Sequence, residues 1–128
     1  MSEWKNVIIV EDDPIAALLT KKTLENDSAF GDYQHYPNGK AALDGVRTFL
    51  AVTGEIPDLI LLDLNMPVMN GWQFLDTIGQ DAALSQIPVV ILTSSIDPRD
   101  ISRSQKYPSV LGYLSKPINT KEVRRLLG

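Results

Sequence analysis

The sequence of 128 residues contains no cysteine and only one histidine. The absence of cysteine excludes disulfide bonds, thiolate metal sites and cysteine nucleophiles. The single histidine, His35, falls in a polar segment that we interpret as an exposed edge strand, where we expect no chemical role. A metal site in this chain is therefore expected to depend on oxygen ligands, which suit hard divalent cations.

Long apolar runs and an excess of basic residues are also missing. No apolar stretch approaches the roughly 18 residues that a membrane-spanning helix needs, and residues 1–6 lack the features of a secretory signal. The net charge of −4 argues against direct binding to nucleic acid, which needs clustered lysine and arginine. We therefore expect a cytoplasmic protein whose partners include neither a membrane nor nucleic acid.

Length and composition are those of one globular domain. A chain of 128 residues is long enough to bury about two-thirds of the surface that its unfolded form exposes. Hydrophobic residues make up 44% of the chain and charged residues 22%, which is typical of a globular protein with a hydrophobic core and a charged surface. Because no repeat or linker interrupts the sequence, we expect residues 1–128 to form a single domain with no output domain attached.

Five short segments with strand-like patterns alternate with helix-like segments. The expected strands are residues 7–10, 33–36, 59–62, 89–92 and 110–114. Polar residues suited to capping begin four of the helices, at Asp13, Asn38, Asp97 and either Asn119 or Thr120, and Gly71 precedes the remaining one. The alternation predicts an α/β fold: a doubly wound, five-stranded parallel sheet in a three-layer arrangement, with helices on both faces.

Two local expectations concern the first helix and the loop after the third strand. Ile15, Leu18 and Leu19 share one face at helical spacing, which predicts the apolar stripe of the first helix. In the loop of residues 65–71, the pairs Met66-Pro67 and Asn70-Gly71 indicate a rigid turn that tolerates positive φ.

Polar side chains follow the ends of the four apolar strands. Glu11 and Asp12 follow the first, Asp63 ends the third, Thr93 follows the fourth and Lys116 follows the fifth. The carboxyl ends of parallel strands lie at the same edge of a sheet, where α/β proteins form their binding sites. We therefore expect these five side chains to meet in one shallow cleft.

A cluster of three carboxylates requires a compensating cation. Crowded carboxylates repel each other and raise each other's pKa values. Oxygen ligands in a shallow, hydrated site favour Mg²⁺, or Mn²⁺, over the closed cage that Ca²⁺ takes. Such a cation beside Asp63, with a threonine and a lysine to hold oxygens, suits phosphoryl transfer, in which Asp63 is the nucleophile and forms an aspartyl phosphate.

This arrangement resembles the receiver domain of two-component response regulators, and is similar to the stand-alone chemotaxis type, over essentially the whole chain. The resemblance implies a flavodoxin-like fold with strand order 2-1-3-4-5. It also implies a signalling switch that takes a phosphoryl group from a sensor histidine kinase or a histidine phosphotransfer protein. The face made by the fourth helix, fifth strand and fifth helix would then change for an unknown downstream protein.

The resemblance also assigns roles to the residues around the metal. Asp63 would be the phosphorylated aspartate, and Asp12 would be a direct metal ligand, whereas Glu11 would act mainly through water. Asn65 would offer its backbone carbonyl to the metal.

A second set of implied roles concerns the response to phosphorylation. Thr93 would bond one phosphoryl oxygen and Lys116 would pair with another. Tyr113 would change rotamer on activation, and the peptide bond between Lys116 and Pro117 would be cis. The chain would not be an enzyme in the ordinary sense, since it would catalyse only its own phosphorylation and dephosphorylation.

Two alternatives remain open at the level of sequence. A phosphohydrolase of the haloacid dehalogenase type also uses an aspartate nucleophile with Mg²⁺, but it needs a second aspartate two residues later, where this chain has Asn65. A receiver-like docking module that is not phosphorylated would have the same fold without the chemistry.

Overall fold

The computed structural model describes residues 2–66 and 68–128, so the predicted rigidity at Pro67 lies outside the described residues. Within these ranges, five β-strands alternate with five α-helices, and a short 3-10 helix spans Leu84–Gln86. The strands are β1 (Trp4–Val10), β2 (Phe30–Tyr36), β3 (Leu59–Asp63), β4 (Val89–Thr93) and β5 (Val110–Ser115). The α-helices are α1 (Pro14–Glu25), α2 (Gly39–Thr53), α3 (Gly71–Gly79), α4 (Pro98–Ser104) and α5 (Thr120–Leu127).

The five strands form one parallel sheet in the order β2-β1-β3-β4-β5. This confirms the predicted doubly wound fold and its strand order. Every residue of β3 and β4 is buried, because these strands have a neighbour on each side and helices on both faces. Among the described residues, none of the helices combines the length and apolar character that a bilayer-spanning segment requires.

Alternate residues of the central strands supply two separate cores, one on each face of the sheet. Ile8, Ile60 and Ile91 pack with the buried side chains of α2 and α3 on one face. On the other face, β-strand residues such as Ile9 and Leu61 pack with side chains of α1 and α5. The period of two residues along each strand therefore divides one apolar run between two helical layers.

Helix α4 has a weaker connection to these cores. Its one buried residue is Ser104, and neither core cluster of the described residues includes an α4 side chain. Burial of apolar area is the main source of helix stability in proteins. Helix α4 must therefore depend more than the other helices on contacts at its surface.

Local capping chemistry sets the helix starts. The side chains of Asp13, Asn38 and Asp97 each accept a backbone hydrogen bond from the first turn of the following helix, as predicted, and Asn119 rather than Thr120 caps α5. Helix α3 differs from the prediction, because its cap is Asn70, in a reciprocal pair with Gln73, and Gly71 is its first residue.

The predicted apolar stripe of α1 was wrong. Ile15, Leu18 and Leu19 are 70%, 50% and 52% exposed, whereas the buried residues of this helix are Ala17, Thr20 and Leu24. The buried set also recurs at helical spacing, and its small members Ala17 and Thr20 let the helix lie close to the sheet. The larger apolar side chains of α1 consequently remain on the surface.

The loop between β3 and α3 also differs from the sequence expectation. Positive φ occurs at Val68, where φ is 71°, and not at Asn70 or Gly71. The glycine at 71 has a different cause: a Cβ there would lie 2.8 Å from the Cα of Leu64 and 2.9 Å from the carbonyl oxygen of Asp63. Gly71 therefore permits a close backbone approach, while Val68 adopts a conformation that is costly for a β-branched residue.

The orientation of α1 predicts different costs for two leucines of the same helix. Leu24→Ala is expected to lower the free energy of unfolding by about 3 kcal/mol, because it leaves a cavity in the core. Leu18→Ala is expected to change it by less than about 0.5 kcal/mol, because half of this side chain is already in solvent. Urea denaturation of the two variants measures both values. Equal costs would contradict the orientation of α1 described here.

The strained backbone at Val68 predicts a stabilising substitution. Val68→Gly is expected to raise the free energy of unfolding by about 1 kcal/mol, because glycine adopts positive φ without a steric penalty. Val52→Gly is the matched control: Val52 is equally exposed but lies in α2, where glycine is expected to lower stability. Thermal and urea denaturation should therefore give opposite signs for the two variants, and a destabilised Val68→Gly protein would contradict the strain.

Candidate functional site

Three carboxylates meet at the carboxyl edge of the sheet. Glu11 follows β1, and Asp63 ends the neighbouring strand β3. Carboxylate oxygens of Glu11, Asp12 and Asp63 lie within 4.8 Å of one another. The side chains of Glu11 and Asp63 are buried, with 5% and 9% of their surface exposed, whereas Asp12 is exposed. The predicted convergence of these three residues is therefore present in the fold.

Lys116 extends into this cluster from the end of β5. Its ammonium forms an ion pair with Glu11, and its Nζ is 3.5 Å from Oδ2 of Asp63. Its backbone N–H donates to the carbonyl of Thr93 at 2.7 Å, which fixes the chain at the point where the side chain leaves the sheet. Burial acts to lower the pKa of Lys116, but the contact with Glu11 and the charges of both carboxylates outweigh it and raise the pKa.

The electrostatic balance of the cluster favours a divalent cation. Burial raises the pKa of Glu11, and the adjacent Asp63 raises it further, while Lys116 acts in the opposite direction. When all groups are ionised, three carboxylates and one ammonium leave two negative charges. All the candidate ligands are oxygens, and the exposure of Asp12 leaves one side of the cluster open to water. These features are consistent with a site for a divalent cation.

Asn65 lies on the exposed side of the loop after β3. Its backbone N–H donates to Oδ1 of Asp63 at 3.2 Å, which orients the carboxylate from within its own loop. The side chain at 65 is an amide, so it offers no titratable proton beside Asp63.

Thr93 and Tyr113 occupy neighbouring strands, and their polar atoms have different environments. Thr93 is buried; its hydroxyl donates to the carbonyl of Ser95 at 2.9 Å and accepts from the Ser95 N–H at 3.2 Å. The hydroxyl of Tyr113 is buried and has no hydrogen-bond partner among the described residues. Burial raises the pKa of Tyr113. The peptide bond between Lys116 and Pro117 is cis.

The interpretation of His35 as an exposed edge residue was wrong. His35 is half-buried on β2, and its Nε2 lies 2.7 Å from the carbonyl oxygen of Glu11. The edge position itself is correct, since β2 pairs only with β1. The signal that could have identified this contact is the position of His35, one residue before the end of β2. This position lies beside the start of the acidic loop, which consists of residues 11–13.

Comparison with known proteins agrees with this geometry. The profile of the response regulator receiver domain matches residues 7–127. The response regulator Rcp1 of the cyanobacterium Synechocystis sp. is 33% identical over 128 residues, an alignment that covers 96% of this chain and 84% of Rcp1.

Solved structures show the same fold. The phosphorylated cyanobacterial phytochrome response regulator RcpA superposes with a TM-score of 0.78 at 31% identity, covering 97% of this chain and 89% of RcpA. The Mn²⁺-bound form of Rcp1 superposes with a TM-score of 0.74 at 32% identity, covering 96% and 88% of the two chains. Because the profile match includes every residue of the acidic cluster, the chain belongs to the response regulator receiver domain family of two-component signal transduction.

Proposed function

We propose that this receiver domain is a phosphoacceptor switch in which Asp63 accepts a phosphoryl group from a sensor histidine kinase or a histidine phosphotransfer protein. The observation that carries the proposal is the placement of Asp63. Its carboxylate ends a buried central strand, shares a cluster with Glu11 and Asp12, and has the ammonium of Lys116 at 3.5 Å. A buried carboxylate at such a position needs a partner, and this cluster presents it at the edge where ligands bind.

The cation of this site would be Mg²⁺ or Mn²⁺. Asp12 and Asp63 would hold it directly together with the backbone carbonyl of Asn65, and Glu11 would act mainly through water. The structure of Rcp1 with Mn²⁺ supports this assignment, as does the oxygen-only donor set of this chain. When bound, the cation would neutralise the negative charge that accumulates on the transferred group.

The chain's own residues account for the rest of the reaction. A carboxylate oxygen of Asp63 forms a bond to phosphorus while the bond from phosphorus to the donor imidazole nitrogen breaks, and that nitrogen takes up a proton. Lys116, which already lies beside Asp63, pairs with one phosphoryl oxygen. The Thr93 hydroxyl leaves the Ser95 carbonyl and bonds a second oxygen. Attack by water on the aspartyl phosphate then restores the carboxylate and releases inorganic phosphate.

The surface for the phosphoryl donor would lie on α1. Leu19 and Ala16 line a groove together with Lys116 and Pro117, at the border of the acidic cluster. The exposed side chains of Ile15 and Leu18 extend this apolar surface. Its position would bring the imidazole of a donor protein close to Asp63.

The output surface would be the face formed by α4, β5 and α5. Movement of Thr93 toward the phosphoryl group would change the space beside Tyr113, whose buried hydroxyl has no partner in the described structure. Helix α4 is suited to respond, since it contributes little to the two cores. Two packed arrangements of this face would convert a local charge change into a change of partner binding.

A cluster of aromatic and charged side chains connects α4 to α3. The rings of Trp72 and Tyr107 stack with centroids 5.9 Å apart, and the guanidinium of Arg103 lies 4.3 Å from the centre of the Trp72 ring. The Tyr107 hydroxyl donates to Oδ1 of Asp76 at 2.6 Å. In the proposed switch, this cluster restrains the C-terminal end of α4 while the N-terminal end responds to Thr93.

The phosphoacceptor proposal predicts a specific mass change. Incubation with acetyl phosphate and Mg²⁺ is expected to add one phosphoryl group to the intact protein, and neither Asp63→Asn nor a sample with EDTA should gain it. Asp13→Asn is the matched control: it removes a carboxylate from the acidic loop but keeps a side chain that can cap α1. This variant should be labelled like the wild type.

Other outcomes distinguish the alternatives. Stoichiometric labelling of Asp63→Asn would mean that another residue is the acceptor. If the wild type gains no phosphoryl group and beryllofluoride causes no spectral change, the chain is a docking module. Continuous release of phosphate over many rapid turnovers would favour a phosphohydrolase.

The contact between α3 and α4 predicts a local effect of Tyr107→Phe. Loss of the hydrogen bond to Asp76 is expected to weaken the restraint on α4 by about 1 kcal/mol, which corresponds to roughly fivefold faster amide exchange. Hydrogen–deuterium exchange of residues 98–104 measures this change. Tyr33→Phe is the matched control, because Tyr33 also donates its hydroxyl to a carboxylate, that of Glu25, but lies on β2. Unchanged exchange of α4 in Tyr107→Phe would show that this hydrogen bond does not restrain it.

A further inference from the structure

The imidazole of His35 connects the edge strand β2 to the acidic loop. His35 and Glu11 are 24 residues apart in the chain, and the distance from His35 Nε2 to the Glu11 carbonyl oxygen is 2.7 Å. A carbonyl oxygen can only accept a hydrogen bond, so the proton of this contact belongs to Nε2, which donates. The geometry thereby assigns the ring tautomer.

Residues of β2 hold the backbone of Glu11, and other contacts hold its side chain. The Glu11 N–H donates to the carbonyl of Tyr36 at 3.0 Å, and the Glu11 carbonyl accepts from His35. The carboxylate of Glu11 pairs with Lys116 and accepts from the Asp13 N–H at 3.3 Å. The last two residues of β2 therefore fix both backbone polar groups of Glu11.

The contact from His35 also restricts Asp12. The Glu11 carbonyl belongs to the planar peptide unit that joins Glu11 to Asp12. A hydrogen bond to this oxygen therefore restrains the orientation of the peptide plane that contains the nitrogen and Cα of Asp12. The Asp12 side chain is exposed and is not held by burial. Its position relative to Asp63 consequently depends on the backbone that carries it.

We infer that His35 is a positioning residue for the cation site: its Nε2–H holds the Glu11–Asp12 peptide so that the Asp12 carboxylate faces Asp63. This inference rests on the proposed function, because it gives His35 a role toward the same cation. Partners that orient metal ligands from outside the ligand set commonly change metal affinity by about 10- to 100-fold when they are removed. His35 orients its ligand through the main chain.

The experiment is a titration of the protein with Mg²⁺ by isothermal calorimetry, without a phosphoryl donor. His35→Met removes the donor while keeping a side chain of similar length, and is expected to raise the dissociation constant for Mg²⁺ about tenfold. His35→Gln places an amide N–H near the position of Nε2 and is expected to bind Mg²⁺ nearly as the wild type does. Gln34→Met is the matched control on the same strand, because Gln34 is exposed.

The outcomes separate this inference from the proposed function. Mg²⁺ binding by His35→Met that equals the wild type would overturn the role of His35 and leave the cation site intact. Equal weakening in His35→Met and His35→Gln would also overturn it, since the donor would then not be responsible. A wild-type protein that does not bind Mg²⁺ would overturn the cation site itself. Thermal unfolding of all variants in EDTA shows whether each is folded before the titration.

A measurement on the wild-type protein tests the same contact without a substitution. In a long-range ¹H–¹⁵N spectrum of the histidine ring, at a pH where imidazole side chains are ordinarily neutral, His35 is expected to show the Nε2–H tautomer. Addition of Mg²⁺ should shift its ring resonances, because the peptide it contacts is part of the cation site. A predominant Nδ1–H tautomer would overturn the inference whether or not the variants fold.

Discussion

Lys116 compensates the charge of two carboxylates that are buried at the edge of the sheet. Glu11 and Asp63 come from neighbouring strands, and neither could be buried in ionised form without a positive partner. Lys116 supplies that partner from the end of β5, two strands away from β3. The parallel sheet makes this possible, since the carboxyl ends of its strands lie at one edge and bring three separate chain segments together there.

One ammonium does not neutralise three carboxylates, and this imbalance connects the site to its proposed function. The remaining negative charge makes the cluster sensitive to a cation and to a phosphoryl group, each of which alters the balance held by Lys116. Thr93 lies at the end of β4, and its hydroxyl is hydrogen-bonded to Ser95 in the loop that follows. The nearby helix α4 contributes few apolar side chains to the cores. A change of charge at the site can therefore shift α4, which among the five helices contributes least to the two cores.

The edge strand β2 has a supporting role that its polar sequence does not suggest. Several of its residues are exposed, as expected at the edge of a sheet. Its last two residues, His35 and Tyr36, hold the backbone of Glu11 on both sides. The acidic loop is therefore fixed from β2 at its backbone and from β5 at its side chain. The strand β2 therefore restrains the backbone of a loop that carries exposed charge.

The helices and strands of this protein could be predicted from its sequence, because their causes are local. Apolar runs buried on both faces identify β3 and β4, and short polar side chains that satisfy free N–H groups identify the starts of α1, α2, α4 and α5. The convergence of Glu11, Asp12, Asp63 and Lys116 also followed from sequence, since parallel strands align their ends. Packing against the sheet selects the buried face of α1, because Ala17, Thr20 and Leu24 fit there where Ile15 and Leu18 would not pack as closely. The positive φ of Val68 and the contact of His35 with Glu11 could not be predicted from the sequence either. These features depend on how close distant segments come to each other. The periodicity and the propensities of a single segment do not determine that distance.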